Sequence, residues 1–137
     1  MQKKLVIRQQ GIKECGASCL LSVIRYYKGD ISLTKLLELT NTNKNGTTFY
    51  DLRYASNYLG LPAEGYKLDK LSNEIKTPFI SQVLVNNYTH FIVVYEIKKD
   101  SLLIMDPGQG SKVIKLEDFY KTWTGNIMIF NYNKKLP

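Results

Sequence analysis

The hydrophobic period of this chain changes once, near residue 62, and that change restricts the folds open to it. Ahead of it the pattern is helical. Cys15, Cys19, Leu20, Val23, Ile24 and Tyr27 follow the three-and-four spacing of one apolar helix face, and Gly29-Asp30 ends that helix. The stretch 32–39 reads as a second, short helix capped by Ser32. Gly46-Thr47-Thr48 opens a third, which runs through Leu52, Ala55 and Leu59 to Gly60-Leu61-Pro62. Beyond Pro62 the segments are short and rich in β-branched and aromatic residues. Strands are expected over 63–67, 79–85, 89–96, 101–106, 111–115 and 127–132, with short helices over 68–75 and 116–122. Helices first and strands second, without βαβ alternation, predict an α+β fold in which N-terminal helices pack on an antiparallel sheet.

At 137 residues the chain has the length of one domain, 1–137, and can bury a core without disulfides or a structural metal. No run approaches the ~20 apolar residues of a membrane helix. The apolar stretch in Met1-Gln2-Lys3-Lys4-Leu5-Val6-Ile7 is too short for a signal peptide. Two cysteines four residues apart are no disulfide framework, which favours a reducing compartment and free thiols. The net charge of +7 raises the question of nucleic acid. Lys and Arg are scattered in ones and twos among acids, however, and no segment interleaves them with stacking aromatics, so nucleic acid is not expected as a partner. An acidic peptide or an anionic membrane face suits that charge equally well.

Glu14-Cys15-Gly16-Ala17-Ser18-Cys19 sits where a loop becomes a helix. A cysteine attacks as the thiolate, and a helix N-terminus favours that form through its unsatisfied N–H groups. Cys15 is in the first turn, beside small Gly16 and Ala17 that allow a substrate backbone to approach. Cys19 lies one turn deeper, ahead of Leu20-Leu21, and reads as core. By position alone either cysteine serves as well as a small buried hydrophobe. A zinc site built from Cys15, Cys19 and His90 lacks a clear fourth ligand, so no metal is expected.

The chain has one histidine, so elimination names His90 as the base for any cysteine nucleophile. Left to itself a lone histidine is ordinarily structural. His90 opens the apolar run Phe91-Ile92-Val93-Val94-Tyr95, and the chain returns through Ser101-Leu102-Leu103-Ile104-Met105 to Asp106-Pro107-Gly108. A three-residue loop Ile97-Lys98-Lys99, closed by Glu96 and Asp100, would set His90 directly opposite Asp106. A two-residue Lys98-Lys99 turn would put Asp106 on the other face. In the first register Asp106 accepts the Nδ1 proton of His90 and leaves Nε2 facing the thiol. Otherwise Asp106 is a turn residue before Pro-Gly.

The segment Gln9-Gln10-Gly11-Ile12-Lys13-Glu14-Cys15-Gly16-Ala17-Ser18-Cys19-Leu20 resembles the N-terminal motif of the bacteriocin-processing, double-glycine cysteine peptidase domains of peptidase-containing ABC transporters. His90-Phe91-Ile92-Val93-Val94 looks like that family's histidine strand, and Asp106-Pro107-Gly108-Gln109-Gly110 like its Asp-Pro-x-x-Gly turn. The stretch 119–125 resembles its closing aromatic and Trp-x-Gly segment. The likeness covers essentially the whole chain. It implies a papain-like fold, with Cys15 as nucleophile, His90 as general base and then acid, and Asp106 orienting it. Gln9 would be the oxyanion-hole side chain; Gln10 is nearby but one position off the motif.

The resemblance also implies a reaction: removal of the leader from a bacteriocin- or lanthipeptide-type precursor by cleavage after Gly-Gly or Gly-Ala, coupled to export. The leader peptide would be the partner, with an amphipathic helix docked on an apolar patch away from the thiol. The glycine-selective cleft would be walled by some of the ten tyrosines. Transmembrane and ATPase domains of the same transporter are implied partners, on the cytoplasmic side of the bacterial membrane. The chain has no phosphate-binding Gly-x-x-x-x-Gly-Lys-Ser/Thr loop, so this domain needs no cofactor and ATP would be used elsewhere. Asn133-Lys134-Lys135-Leu136-Pro137 suits a junction into a membrane domain, although an independent peptidase fits equally. The alternative of another class is a non-catalytic substrate-recruiting domain, as in relatives whose cysteine is replaced; here Cys15 and His90 are both present.

Overall fold

The computed structural model describes residues 1–9 and 11–132 and leaves out the side chain of Ile12. Gln10 and the expected junction at 133–137 therefore lie outside the described residues. Three helices come first: α1 (Cys15–Tyr26), α2 (Leu33–Leu39) and α3 (Phe49–Tyr58). Then follow β1 (Ala63–Lys67), β2 (Phe79–Val85), β3 (Tyr88–Ile97), β4 (Ser101–Asp106), β5 (Gly110–Lys115), α4 (Leu116–Thr122) and β6 (Trp123–Phe130). The strands form one antiparallel sheet in the order β1-β6-β2-β3-β4-β5. Fold class and helix-then-sheet order are as expected. No helix among the described residues is long and apolar enough to cross a membrane.

The caps account for where the helices begin. Ser32 accepts from the Lys35 N–H at the start of α2, and Thr48 accepts from Asp51 N–H at the start of α3. Helix α1 is buried from Cys15 to Ile24, more completely than one apolar face would require. Small Gly16, Ala17 and Ser18 let its neighbours close on the remaining side. Its buried Ser22 hydroxyl reaches the Leu5 carbonyl (2.5 Å) and the Tyr95 hydroxyl (2.6 Å), tying α1 to the N-terminal segment and to β3.

Each sheet face carries its own core. Phe91, Val93, Tyr95, Ile80 and Met105 pack with the N-terminal helices, whereas Ile92, Val94, Ile104, Val83 and Phe119 pack on the α4 side. Odd and even positions of β3 thus point to opposite faces.

Two expectations fail for identifiable reasons. No helix forms over 68–75: the Leu68 N–H bonds the Gly125 carbonyl (2.8 Å) and the Leu71 N–H bonds the Tyr120 hydroxyl (2.9 Å). Of these, the Leu71 N–H is the donor that would make the first bond of such a short, marginal helix, and a long-range acceptor has taken it. The last strand begins at Trp123 rather than 127 and ends at Phe130. Gly125 and Asn126 read as breakers in the sequence, yet Gly125 uses its positive φ of 93° to pass the Leu68 carbonyl inside the strand.

The β3–β4 hairpin also departs from its expected register. Lys98 N–H bonds the Ser101 carbonyl (2.9 Å), so the turn holds two residues, Lys99 and Asp100. Carried regularly inward, that turn would point His90 and Asp106 to opposite faces. Tyr95 prevents this. Glu96 pairs with Leu103 and Val94 with Ile104, leaving Tyr95 as an extra, bulged residue on β3. The bulge shifts parity by one, and Val93 then pairs with Met105. Carried one residue further, that pairing sets Asp106 across from Ile92 and diagonal to His90, on one face.

Candidate active site

Cys15 is the first residue of α1, and a 3-10 turn, Ile12–Glu14, leads into it. The N-cap position, Glu14, makes no side-chain cap bond to the first turn. Cys15 retains 5% exposure and Cys19 none. Burial first, and the nearby Cys15 and Asp106 next, push the Cys19 thiol well above the ordinary range. Cys19 is therefore core, as its sequence position indicated.

A cleft of about 480 Å³ opens at Cys15, lined by Lys13, the stretch 44–47, Tyr88, Thr89 and Phe91. Gly16 packs behind two of these lining residues, Thr47 and Phe91. A Cβ there would lie 2.5 Å from Thr47 Cγ2 and 3.2 Å from Phe91, so only glycine lets the 43–47 loop close against α1. Thr47 is held in turn by its hydroxyl, which donates to the Thr40 carbonyl (2.5 Å). Of the ten tyrosines considered as walls, Tyr88 is the one in the cleft lining.

His90, the third residue of β3, bonds Asp106, the last of β4, through Nε2 and Oδ1 at 2.7 Å. The expected ring orientation is thereby reversed: Nε2 meets the carboxylate and Nδ1 is left for the thiol. Burial disfavours charge on His90. The Asp106 hydrogen bond and the neighbouring Cys15 sulfur outweigh it and push the imidazole up to about 9. Burial likewise acts to raise Asp106, but His90 and the Gly108 N–H (2.8 Å to Oδ1) hold it below the usual carboxylate range.

The N-terminal segment straps the Asp106 turn. The Gln9 N–H donates to the Pro107 carbonyl (2.9 Å) and the Arg8 guanidinium to the next carbonyl, Gly108 (3.2 Å). The Gln9 side chain is oriented by its Nε2, which donates to the Gly11 carbonyl (2.9 Å); its Oε1 is buried without a partner among the described residues. The structure thus unites Cys15, His90 and Asp106, and ties the Gln9 backbone to the Asp106 turn. Sequence reading did not single out Arg8, the Gly108 N–H, Lys13, Lys44 or Thr47. A turn was legible in Asn43-Lys44-Asn45-Gly46, but nothing in its spacing gives its distance from Cys15.

A model described as the peptidase C39 family matches residues 3–135. The chain is 30% identical over 129 residues to the lactococcin-G-processing and transport ATP-binding protein LagD of Lactococcus lactis subsp. lactis. That match takes in 91% of this chain but 18% of the relative, so the chain spans under a fifth of the transport protein's length. Among solved structures it is similar to a double glycine motif protease from an AMS/PCAT transporter in complex with the leader peptide. The TM-score is 0.87 at 32% identity, covering 93% of this chain and 91% of that one. It is also similar to the peptidase domain of Streptococcus ComA, a bi-functional ABC transporter involved in a quorum sensing pathway. There the TM-score is 0.86 at 30% identity, covering 93% and 98%.

Proposed function

The chain belongs to the peptidase C39 family, a family of cysteine peptidases, and we propose that it cleaves the leader from a precursor peptide with Cys15 as nucleophile. The observation that carries this reading is the Cys15 thiol at the start of α1, close enough to act on the charge of the His90 imidazole that Asp106 holds at 2.7 Å. In that arrangement the thiol proton already rests on His90 Nδ1, whose ring stays charged up to about pH 9, and Sγ attacks the scissile carbonyl. The Gln9 Nε2–H and the Cys15 backbone N–H take the developing oxyanion. The imidazolium returns its proton to the leaving amine, and water, deprotonated by His90, then hydrolyses the thioester. Asp106 keeps the ring turned throughout and stabilises its charged form.

Substrate choice follows from the cleft. Phe91, Thr47 and Tyr88 line the cleft with Cys15, and walls of that kind would favour cleavage after Gly-Gly, or Gly-Ala, over residues with larger side chains. The relatives' names, with lactococcin-G processing and a bound leader peptide, support leaders of bacteriocin-type precursors as the substrate class, and lanthipeptide-type precursors belong to the same proposal. A hollow on the α4 face has an apolar floor of Val83, Val85, Ile92, Ile104, Ile114 and Phe119 and reaches His90 and Asp106 at its rim, and that floor would suit the apolar face of an amphipathic leader helix. The account extends to export: the domain would work on the cytoplasmic face of a membrane, joined to transmembrane and ATP-using domains of one transporter.

Substitution tests this reading. Cys15→Ala and His90→Ala should each abolish cleavage while leader binding persists. Asp106→Asn should lower kcat by about 10²- to 10⁴-fold, the range for losing the group that orients a catalytic histidine. Unchanged turnover in Cys15→Ala would refute it, and binding without any turnover by the intact chain would favour a recruiting module.

A further inference from the structure

Beside the nucleophile the cleft is charged in one sense only. Its lining contains Lys13 and Lys44 and no carboxylate. The two lysines come from adjoining loops. Lys13 lies in the 3-10 turn before α1, two residues ahead of Cys15. Lys44 sits on the turn 43–46, which is closed by Asn43 N–H to the Gly46 carbonyl (3.1 Å) and Gly46 N–H to the Asn43 carbonyl (2.9 Å). The Asn45 N–H also bonds Asn43 Oδ1 (2.8 Å), and Gly46 takes a φ of 91° that favours glycine. This turn rests against the other lip: a Cβ on Gly46 would be 3.8 Å from the Lys13 carbonyl oxygen. Neither lysine has an ion-pair partner among the described residues. The facing wall, Tyr88, Thr89 and Phe91, carries no charge.

We infer that Lys13 and Lys44 form a carboxylate-reading subsite, which takes an Asp or Glu side chain of the bound peptide within a few residues of the scissile bond. The inference rests on the proposal that a peptide occupies this cleft. It differs from general attraction by a +7 chain. Long-range steering treats all surface lysines alike and is screened beyond about 8 Å at physiological ionic strength. A contact pair acts at one peptide position and reads one register. Exposed pairs are individually weak, up to about five-fold in affinity each, so two lysines on one carboxylate give a measurable but graded preference.

The test uses the full chain as Cys15→Ala, so that binding is read without turnover. Fluorescent peptides spanning a double-glycine site carry a single Asp or Asn at successive positions on either side of the bond, and anisotropy gives Kd. The expected result is one position at which Asp binds about three- to ten-fold more tightly than Asn. That preference should vanish in Lys13→Gln/Lys44→Gln and persist in Lys35→Gln/Lys99→Gln, which removes equal charge from α2 and the β3–β4 turn. No preferred position, equal losses in both double variants, or no peptide binding at all would each overturn the inference. Failure of the peptidase reading is seen separately, as peptide left intact by the Cys15 form while the Asp preference in binding survives.

Discussion

Two cysteines one helical turn apart meet opposite surroundings. Cys15 opens α1 at the cleft, whereas Cys19 is enclosed and its thiol is held in the neutral form chiefly by burial. Iodoacetamide should therefore label one thiol per native chain at neutral pH. Peptide mapping should find the label on Cys15, and a labelled Cys19 in the folded protein would contradict the assignment. His90 sets a pH dependence. Its folded value of about 9 lies above the ordinary ~6.5, so its contribution to stability is complete below pH ~6.5 and is lost as pH rises through 9. Asp106 is depressed, so its contribution is lost only as pH falls through its lowered value. Urea midpoints should fall between pH 6.5 and 9 in the native chain, and His90→Gln should flatten that limb; an identical limb in the variant would contradict the coupling. Residue type and elimination made Cys15 and His90 legible in sequence. The ring nitrogen facing Asp106 was not, because it depends on the angle between two strands. Lys13 and Lys44 were equally hidden, since exposed lysines acquire meaning only from what folds beside them.

Among the elements, those with local causes were legible and those with distant causes were not. Ser32 and Thr48 announce α2 and α3 by chemistry within one turn. The stretch 68–75 has helical composition but gives its N–H groups to Gly125 and Tyr120, far along the chain. The hairpin is the instructive case. The pairing of His90 with Asp106 was anticipated, but through a three-residue loop; the protein uses a two-residue turn and a bulge at Tyr95 to reach the same face. Two glycines separate packing from catalysis. Gly16→Ala should force Thr47 and Phe91 apart, costing about 1–3 kcal/mol of stability and also lowering kcat/KM, because those residues line the cleft. Gly125→Ala meets the Leu68 carbonyl at 2.8 Å and a φ of 93°, and should cost a similar amount. Where that variant remains folded, its kcat should match the parent. Denaturation midpoints with steady-state kinetics on the same samples check both; a Gly125 variant slowed as much as the Gly16 variant would contradict the placement of the cleft.

For the whole molecule, three separate parts of the chain converge on the proposed reaction centre: the start of α1, the β3–β4 pair, and the N-terminal strap that ties Gln9 and Arg8 to the Asp106 turn. The strap explains why the first residues belong to the domain. Leu5 and Ile7 are buried in the helix-side core, and Leu5 accepts from Ser22. Arg8→Ala should loosen the turn that holds Asp106 and lower kcat several-fold with little change in KM. The single histidine makes the cause readable by NMR, since the His90 titration should move down from about 9 toward the ordinary value. An unmoved titration would leave Arg8 a surface residue. The central claim is that Cys15 makes this chain a leader peptidase. It is tested most directly by incubating the reduced domain with a double-glycine leader peptide and weighing the products. The account predicts a single cut directly after the glycine pair, abolished when Cys15 is alkylated. Peptide recovered intact, from protein whose Cys15 is shown to be a free thiol, would contradict it.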